Sequence, residues 1–473
     1  MISPRVAFVV DHPQRDLAGL ALTATRLASE GVECSLVPLN RQEHELWAIA
    51  PDVVVLNYAR PGNQRLAEQL LDAGIQLVIL DTEGGVWPDT GSYTSLLWND
   101  AALRRRVSRI AMWGPELAGR LVADGWFTAE QVTVTGCPRF DFYQPQWRSV
   151  LEVPRPSGRP QVLINTNFYT VNSRFVDESR NRRQLCDELG WSAEAAEGLI
   201  RREHAAREAV SVLAVELARE LEATIALRPH PFESADWYRQ RFAGIDRLSV
   251  EPDGPVQPAL FAADALIQRS CTTALEAALA GVPAFSPHWI AAPMEMPMAE
   301  AVSVGCPDSA TLLDEVRRVL AGRWSRPPAL EAAVTGTVER WFHRADGNAN
   351  ARVAAVILAA VPARRMVDDA ACRRRLYGLS ESEASWDGAG RRIRYHLRMP
   401  PDWSFRRLRR VDPGLYDHKR IPAAELADLL GRISLAAPRT AGNVGVDRHF
   451  PGRFAPAHSV RLARGSEGNV RYG

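Results

Sequence analysis

Three short stretches of this chain place reactive residue types at spacings that bring them together. In Ala265–Pro283 an apolar run passes through Arg269-Ser-Cys-Thr-Thr273 into a small-residue helix. The hydroxyls of Ser270, Thr272 and Thr273 gather where that helix begins, and the first N–H groups of a helix lack intrahelical acceptors. Such donors at the positive end of a helix dipole suit an anion, phosphate above all. The second stretch, Arg228-Pro-His230-Pro231, ends the apolar run Thr224–Leu227. Its prolines restrict the backbone around His230. An imidazole titrating near neutrality can donate a hydrogen bond to phosphate or protonate a leaving oxygen, and Arg228 adds fixed positive charge. The third stretch, Asp81-Thr-Glu83-Gly84-Gly85, follows Gln76–Leu80. If the strand continues, Asp81 and Glu83 point the same way, and the glycines admit a sharp turn and a close ligand. A carboxylate placed there can take a proton from an acceptor hydroxyl. Glu83, nearest the glycines, is the first choice; the competing reading is that Asp81 orders the turn.

Thr273 to Glu276 also has the layout of a helix capping box, which need not compete with phosphate binding. Glu276 could instead hold a ribose hydroxyl pair, a frequent job for acids in nucleotide sites. Weaker candidates on the acceptor side are Asp11 and Arg15 after the first strand, with Asn57 and Arg60 after the third. Asn165 and Asn167 end the first strand of the second half. There is no GxGxxG, Walker loop, HExxH or GxSxG. The six cysteines are scattered without metal-ligand spacing, so neither a metal nor a bound cofactor is expected, and reduced thiols are.

The elements that must position these loops alternate. Val6–Val10, Glu33–Pro38, Asp52–Leu56, Gln76–Leu80, Ser108–Trp113 and Gln131–Thr135 read as strands, with helical patterns such as Leu17–Glu30 and Asn63–Ala73 between them. That order implies a doubly wound parallel sheet. After the Pro/Arg/Ser-rich Val153–Pro160, a second set opens at Gln161–Asn165. It proceeds through a polar insertion from about Tyr169 to Arg207 and a helix with buried-face spacing at Val210, Leu213, Ala214, Leu217 and Leu221. Strands at Thr224–Leu227, Arg247–Val250, Ala265–Gln268 and Ala284–Ser286 follow. In open sheets of this kind ligands sit beyond the carboxyl ends of the strands, which is where all three stretches fall. The expected organisation is an α/β acceptor-side domain over 1–150, a nucleotide-donor domain over 161–330, a closing or crossover helix over 331–362, and a basic extension over 363–473.

At 473 residues, 46% hydrophobic and 24% charged with a net charge of +1, the chain has ample material for two cores and no global bias toward nucleic acid. Met1-Ile-Ser-Pro-Arg lacks a signal-peptide layout, and no run reaches the ~18 apolar residues that span a bilayer. A cytoplasmic protein is expected, any membrane contact being peripheral at the inner face. Thirteen arginines fall between residues 364 and 410, interleaved with Trp386, Tyr395, Trp403 and Phe405. They suit either a solvated appendage or a basic surface for anionic headgroups or polymer.

Taken in order, Val6–Asp16, Leu80–Gly85, Val134–Asp141, Arg228–Pro231 and Ala265–Pro283 make the chain resemble GT-B glycosyltransferases, more narrowly the bacterial surface carbohydrate biosynthesis proteins. The resemblance covers about the first 360 residues and implies two Rossmann-like domains facing a cleft. It also implies a metal-independent enzyme of surface polysaccharide biosynthesis, which moves sugar from a nucleotide-activated donor to a glycan or lipid-linked glycan acceptor. Bacterial sialyltransferases and relatives using CMP-linked acidic sugars share a D/E-D/E-G motif, an HP motif and a serine/threonine pair. The resemblance assigns the HP histidine to His230 and the pair to Thr272 and Thr273. In the acidic motif, Thr82-Glu83-Gly84 has threonine in the first acidic place. Alternatives of the same fold are a CDP-polyol phosphotransferase and a nucleotide-sugar 2-epimerase. From another class comes a non-catalytic assembly or polymer-binding protein.

Overall fold

A computed structural model describes residues 3–85, 87–153, 158–188, 190–292, 294–377, 418–437, 444–447 and 459–464. The chain forms two compact units, one of Met1–Val150 with Glu339–Gly473 and one of Leu151–Val338. Each is α/β and built on a mainly parallel sheet, as the alternation of strand and helix signals predicts.

In the first unit the parallel strands are β1 (Arg5–Val10), β2 (Glu33–Pro38), β3 (Val53–Leu56), β4 (Gln76–Leu80), β5 (Arg109–Met112) and β6 (Val132–Val134). Their order in the sheet is β2-β1-β3-β4-β5-β6. Strands buried on both faces need unbroken apolar runs rather than alternation, and Val53-Val-Val-Leu56 is buried throughout. The order reverses direction between β1 and β3, the place where such sheets open a crevice.

Helix α1 (Pro13–Ser29) begins earlier than its apolar spacing suggests. Pro13 starts it at a position that needs no N–H, and Asp16 accepts the main-chain N–H of His12 at 3.0 Å. Asp11 to Asp16 therefore straddles a strand end and a helix N-terminus instead of forming a loop. The helix Ala349–Ala360 packs against α1 and is capped by Asp141, which accepts from Ala349 N at 3.0 Å and from Asn350 N at 2.8 Å. The cap gives the Gly136–Asp141 segment a packing role.

The second unit carries β7 (Gln161–Asn165), β8 (Thr224–Arg228), β9 (Leu248–Val250), β10 (Ala265–Ile267), β11 (Ala284–Pro287) and β12 (Val304–Cys306). All its pairings are parallel, in the order β12-β11-β10-β7-β8-β9, so this sheet reverses between β7 and β10. The apolar positions Val210 to Leu221 lie at the end of a 28-residue helix, Ala193–Glu220. Much of the polar stretch read as an insertion is the first half of that helix, started by Ser192 accepting from Ala195 N at 3.1 Å. The first half is buried too, at Ala196, Leu199, Ile200 and Ala206, but the buried Glu203 and Arg207 interrupt the apolar stripe there, so apolar spacing alone finds only the second half.

Part of the C-terminal extension is integral to the first unit. β13 (Val444–Asp447) pairs antiparallel with β14 (Val460–Arg464), and β14 pairs antiparallel with β2. The helix Ala423–Ala436 lies against α1 with Leu426, Leu429, Leu430 and Ile433 buried. Trp386, Tyr395, Trp403 and Phe405 lie outside the described residues. No helix among the described residues is long and apolar enough to cross a membrane.

Candidate functional site

Both candidate loop clusters sit where their sheets reverse direction. In the first unit, β4 ends at Leu80 and the chain turns at once, so Asp81 and Glu83 do not share a strand face. Asp81 folds back to accept the N–H of Glu83 at 2.8 Å and the Tyr93 hydroxyl at 3.2 Å, with Arg60 at 3.7 Å. It is 1% exposed, and burial outweighs Arg60 to push its carboxyl up to about 6. The turn-ordering role is the one its geometry supports.

Glu83 points instead toward the surface, its side chain 30% exposed, and accepts from Arg15 at 3.2 Å and Arg60 at 2.7 Å. Burial raises its carboxyl, but the two guanidiniums together outweigh that and hold it below its ordinary value. Neighbouring carboxylates thus have opposite environments, one dry and one doubly ion-paired. The glycines that follow are explained by packing: a Cβ on Gly84 would stand 3.1 Å from Trp113 Cδ1, and one on Gly85 2.8 Å from Trp113 Cε3. A close approach of the indole requires them, rather than room for a ligand.

The acceptor-side candidates join this cluster. Asp11 accepts from Arg15 at 2.5 Å, and Arg15 also donates to Asp16 at 3.0 Å. Arg60 lies over the rings of Tyr58 and Trp87, 4.8 and 5.3 Å from their centroids. Asn57 is 1% exposed and its carbonyl accepts from Thr82 N at 2.9 Å, so it buttresses the turn from the end of β3. Under these residues lies a recess of about 30 Å³, walled by Val9, Leu20, Leu56 and Leu80, with Asp81 and Arg139 among its polar edges. Sequence reasoning missed Tyr93, Arg139 and the tail residue Lys419, whose ammonium is 3.0 Å from Asp11. Arg139 lies in the Val134–Asp141 segment but had no site role assigned to it; Tyr93 and Lys419 carry no local motif and reach the site through tertiary packing.

In the second unit, the end of β8 is held by Glu233. This carboxylate, 2% exposed, accepts from His230 N at 3.0 Å, the Thr166 hydroxyl at 2.8 Å and the Tyr238 hydroxyl at 2.8 Å. It ties the histidine-proline loop to the end of β7. Phe232 N donates to His230 Nδ1 at 3.2 Å, so the neutral ring carries its proton on Nε2 and can act there as a donor. The ring stacks on Phe232 and tilts against Tyr169, with centroids 5.7 Å away in each case.

Arg228 is engaged with the main chain. Its guanidinium donates to the carbonyls of Asp253 at 2.9 Å, Glu251 at 3.4 Å and Gly254, clamping the loop after β9. Ser270 is likewise committed: its N–H and hydroxyl both reach Glu300 Oε1, at 2.9 and 2.6 Å. Arg269 donates to the same oxygen at 2.6 Å, and His288 Nε2 lies 3.2 Å from the other. Ser270 has φ 53°, a left-handed conformation that costs a non-glycine residue energy and is held here by that carboxylate.

The helix that follows, Thr273–Ala280, begins at Thr273 with Thr272 as its flanking residue, and neither hydroxyl caps it. Thr273 Oγ1 donates to Cys271 Sγ at 3.1 Å, so the Thr273–Glu276 capping box does not form. Glu276 is buried at 5% exposure on the first turn. The N–H groups of Thr272 and Thr273 lie at the helix start, beside the Thr272 side chain.

No protein-family model matches the chain, and no curated protein matches it. Among solved structures it is similar to a putative UDP-N-acetylglucosamine 2-epimerase from Listeria monocytogenes, at 13% identity over 76% of this chain and 96% of that one, with a TM-score of 0.47. It is similar as well to the UDP-GlcNAc 2-epimerase of Methanocaldococcus jannaschii, at 11% identity over 75% and 99% of the chains, with a TM-score of 0.47. A glycosyltransferase from Rickettsia africae is a further likeness, at 10% identity over 76% and 99%, with a TM-score of 0.40.

Proposed function

We propose that the protein is a glycosyltransferase that takes sugar from a nucleotide-activated donor, the second unit holding the nucleotide phosphate. The observation that carries this is the end of β8 and the start of the Thr273–Ala280 helix taken together. A histidine with its proton fixed on Nε2 and a helix N-terminus flanked by threonine follow β8 and β10, the two strands that flank β7 in one sheet. Both present donors of the kind that stabilise charge growing on a leaving phosphate. The donor set is His230, the Thr272 side chain and the helix N–H groups, Thr273 taking part through its main-chain N–H while its hydroxyl donates to Cys271 Sγ. Ser270 serves it indirectly by shaping the loop, and Arg228 by clamping the sheet edge. Glu276, on the first turn, is the candidate for the ribose hydroxyls.

Glu83 is the candidate base of the first unit because Asp81 is buried and already committed. A carboxylate paired with two guanidiniums is a weak base, so it gains basicity only when an acceptor draws Arg15 or Arg60 onto itself. That requirement favours an acceptor carrying a carboxylate or phosphate, as glycans built from acidic sugars do.

Calorimetric titration of CMP, CDP, UDP and GDP into wild type and His230→Ala tests the reading. One nucleotide binds preferentially, and the variant weakens it about tenfold to a hundredfold, the worth of a hydrogen bond to a charged group. Binding that ignores the substitution, or no binding, rejects the donor site. Release of epimerised free sugar without acceptor would move the function to a 2-epimerase.

A further inference from the structure

The C-terminal segment reaches the carboxyl end of β1. His418 Nε2 lies 2.7 Å from His12 Nε2, one residue after Asp11, and Lys419 Nζ lies 3.0 Å from Asp11 Oδ1. The Lys419 and Asp11 side chains are 13% and 14% exposed, so their attraction is less screened than at an open surface. The helix Ala423–Ala436 on α1 and β14 on β2 keep the segment docked. From there a chain of alternating charge runs Lys419, Asp11, Arg15, Glu83, Arg60.

We infer that Lys419 is a positioning residue of the first unit's site, holding Arg15 on Glu83 by way of Asp11. Asp11 gives Oδ1 to Lys419 and Oδ2 to Arg15. Without the ammonium, both oxygens are open to the guanidinium, which can then take the two-pronged pairing that arginine and carboxylate favour. Arg15 holds three carboxylates, at 2.5 Å for Asp11, 3.0 Å for Asp16 and 3.2 Å for Glu83. The longest contact gives first, and Glu83 is left with Arg60 alone. Asp81 and Tyr58, the other titratable neighbours, offer Glu83 no compensating cation, and Arg139 is engaged with Asp16 at 3.8 Å. Loss of Lys419 also removes one positive charge from the cluster. Both effects make Glu83 easier to protonate, so its titration moves to higher pH.

The test uses the full chain with ¹³C in glutamate carboxyls, the Glu83 signal being identified by its loss in Glu83→Gln. Wild type, Lys419→Met and Lys419→Arg are titrated without ligand, and amide exchange in β2 and β14 is followed alongside. The Glu83 midpoint is expected to rise in Lys419→Met and to return to the wild-type position in Lys419→Arg, with amide protection unchanged. An unmoved midpoint overturns the inference. So does a shift that Lys419→Arg shares, or one accompanied by loss of β14 protection, because either reflects packing rather than charge. The inference rests on the proposed role of Glu83 only for its consequence in transfer. Nucleotide binding by the second unit, unchanged in Lys419→Met, separates failure here from failure of the donor site.

Discussion

Asp81→Asn separates the two carboxylates of the first unit by stability and by activity at once. The substitution keeps an acceptor for Glu83 N and sets an amide against the Tyr93 hydroxyl, whose oxygen can accept; it removes only the charge. Asp81 titrates at about 6 in the fold against 3.8 for an ordinary aspartate. The folded state therefore binds the proton more tightly, and the stability this provides is fully present below pH 3.8 and lost as pH rises through 6. At pH 5 the linkage is worth about 1.4 kcal/mol and at pH 8 nearly nothing, a roughly tenfold ratio in the folding equilibrium. The asparagine variant lacks this slope, so relative to wild type it loses about 1.4 kcal/mol between pH 8 and pH 5. Hydrogen exchange of the β4 amides reads the first unit even if the two units unfold separately, and comparison at equal pH cancels intrinsic rates. A difference that stays constant, or that favours wild type more at pH 8, would show that Arg60 and the hydrogen bonds dominate burial. In an assay of the proposed transfer the same variant is expected to keep activity while Glu83→Gln loses it; the opposite pattern would make Asp81 the base.

Two further substitutions separate holding from binding in the second unit. Arg228→Met leaves three carbonyls of the loop after β9 without their donor. It is expected to destabilise this unit by about 2–4 kcal/mol in thermal melts. Nucleotide affinity should stay within about twofold at a temperature where the variant is folded; a selective loss of affinity would restore Arg228 to the anion site. Glu300→Ala removes the carboxylate that occupies Ser270, Arg269 and His288. Inorganic phosphate should then bind several-fold more tightly at low salt, since Arg269 and the Ser270 N–H lose their internal anion. An unchanged phosphate affinity would detach the Ser270 turn from anion binding altogether.

The two sheets were legible because parallel strands buried on both faces announce themselves as short, unbroken apolar runs. Gln76–Leu80 and Gln161–Asn165 run from end to end as expected. Helix starts were less legible. A first turn is fixed by a cap or a proline rather than by apolar period, and α1 and the Ala193–Glu220 helix both begin outside their apolar pattern. The tail was illegible for another reason. β14 joins the sheet by pairing, beyond β13, with the edge of β2, between residues more than four hundred apart, and no local pattern records a partner at that distance.

The site followed the same division. The placement of the candidate loops was readable, since they follow strand ends around the points where each sheet reverses. Which side chain acts and which one braces was not, because that depends on what already occupies each polar atom. Arg228 and His230 are two residues apart in one motif, yet the guanidinium donates to three carbonyls while the imidazole accepts the Phe232 N–H on Nδ1. Asp81 and Glu83 differ in the same way, one dried by the core and the other held by two arginines. Burial and partner decide the chemistry in both pairs, and both are set by elements far away in the chain. The cluster around Glu83 carries this furthest. Glu83 pairs with Arg15, Arg15 with Asp11, and Asp11 with a lysine of the C-terminal segment, so the ion-pair chain of the first unit is complete only with that segment docked.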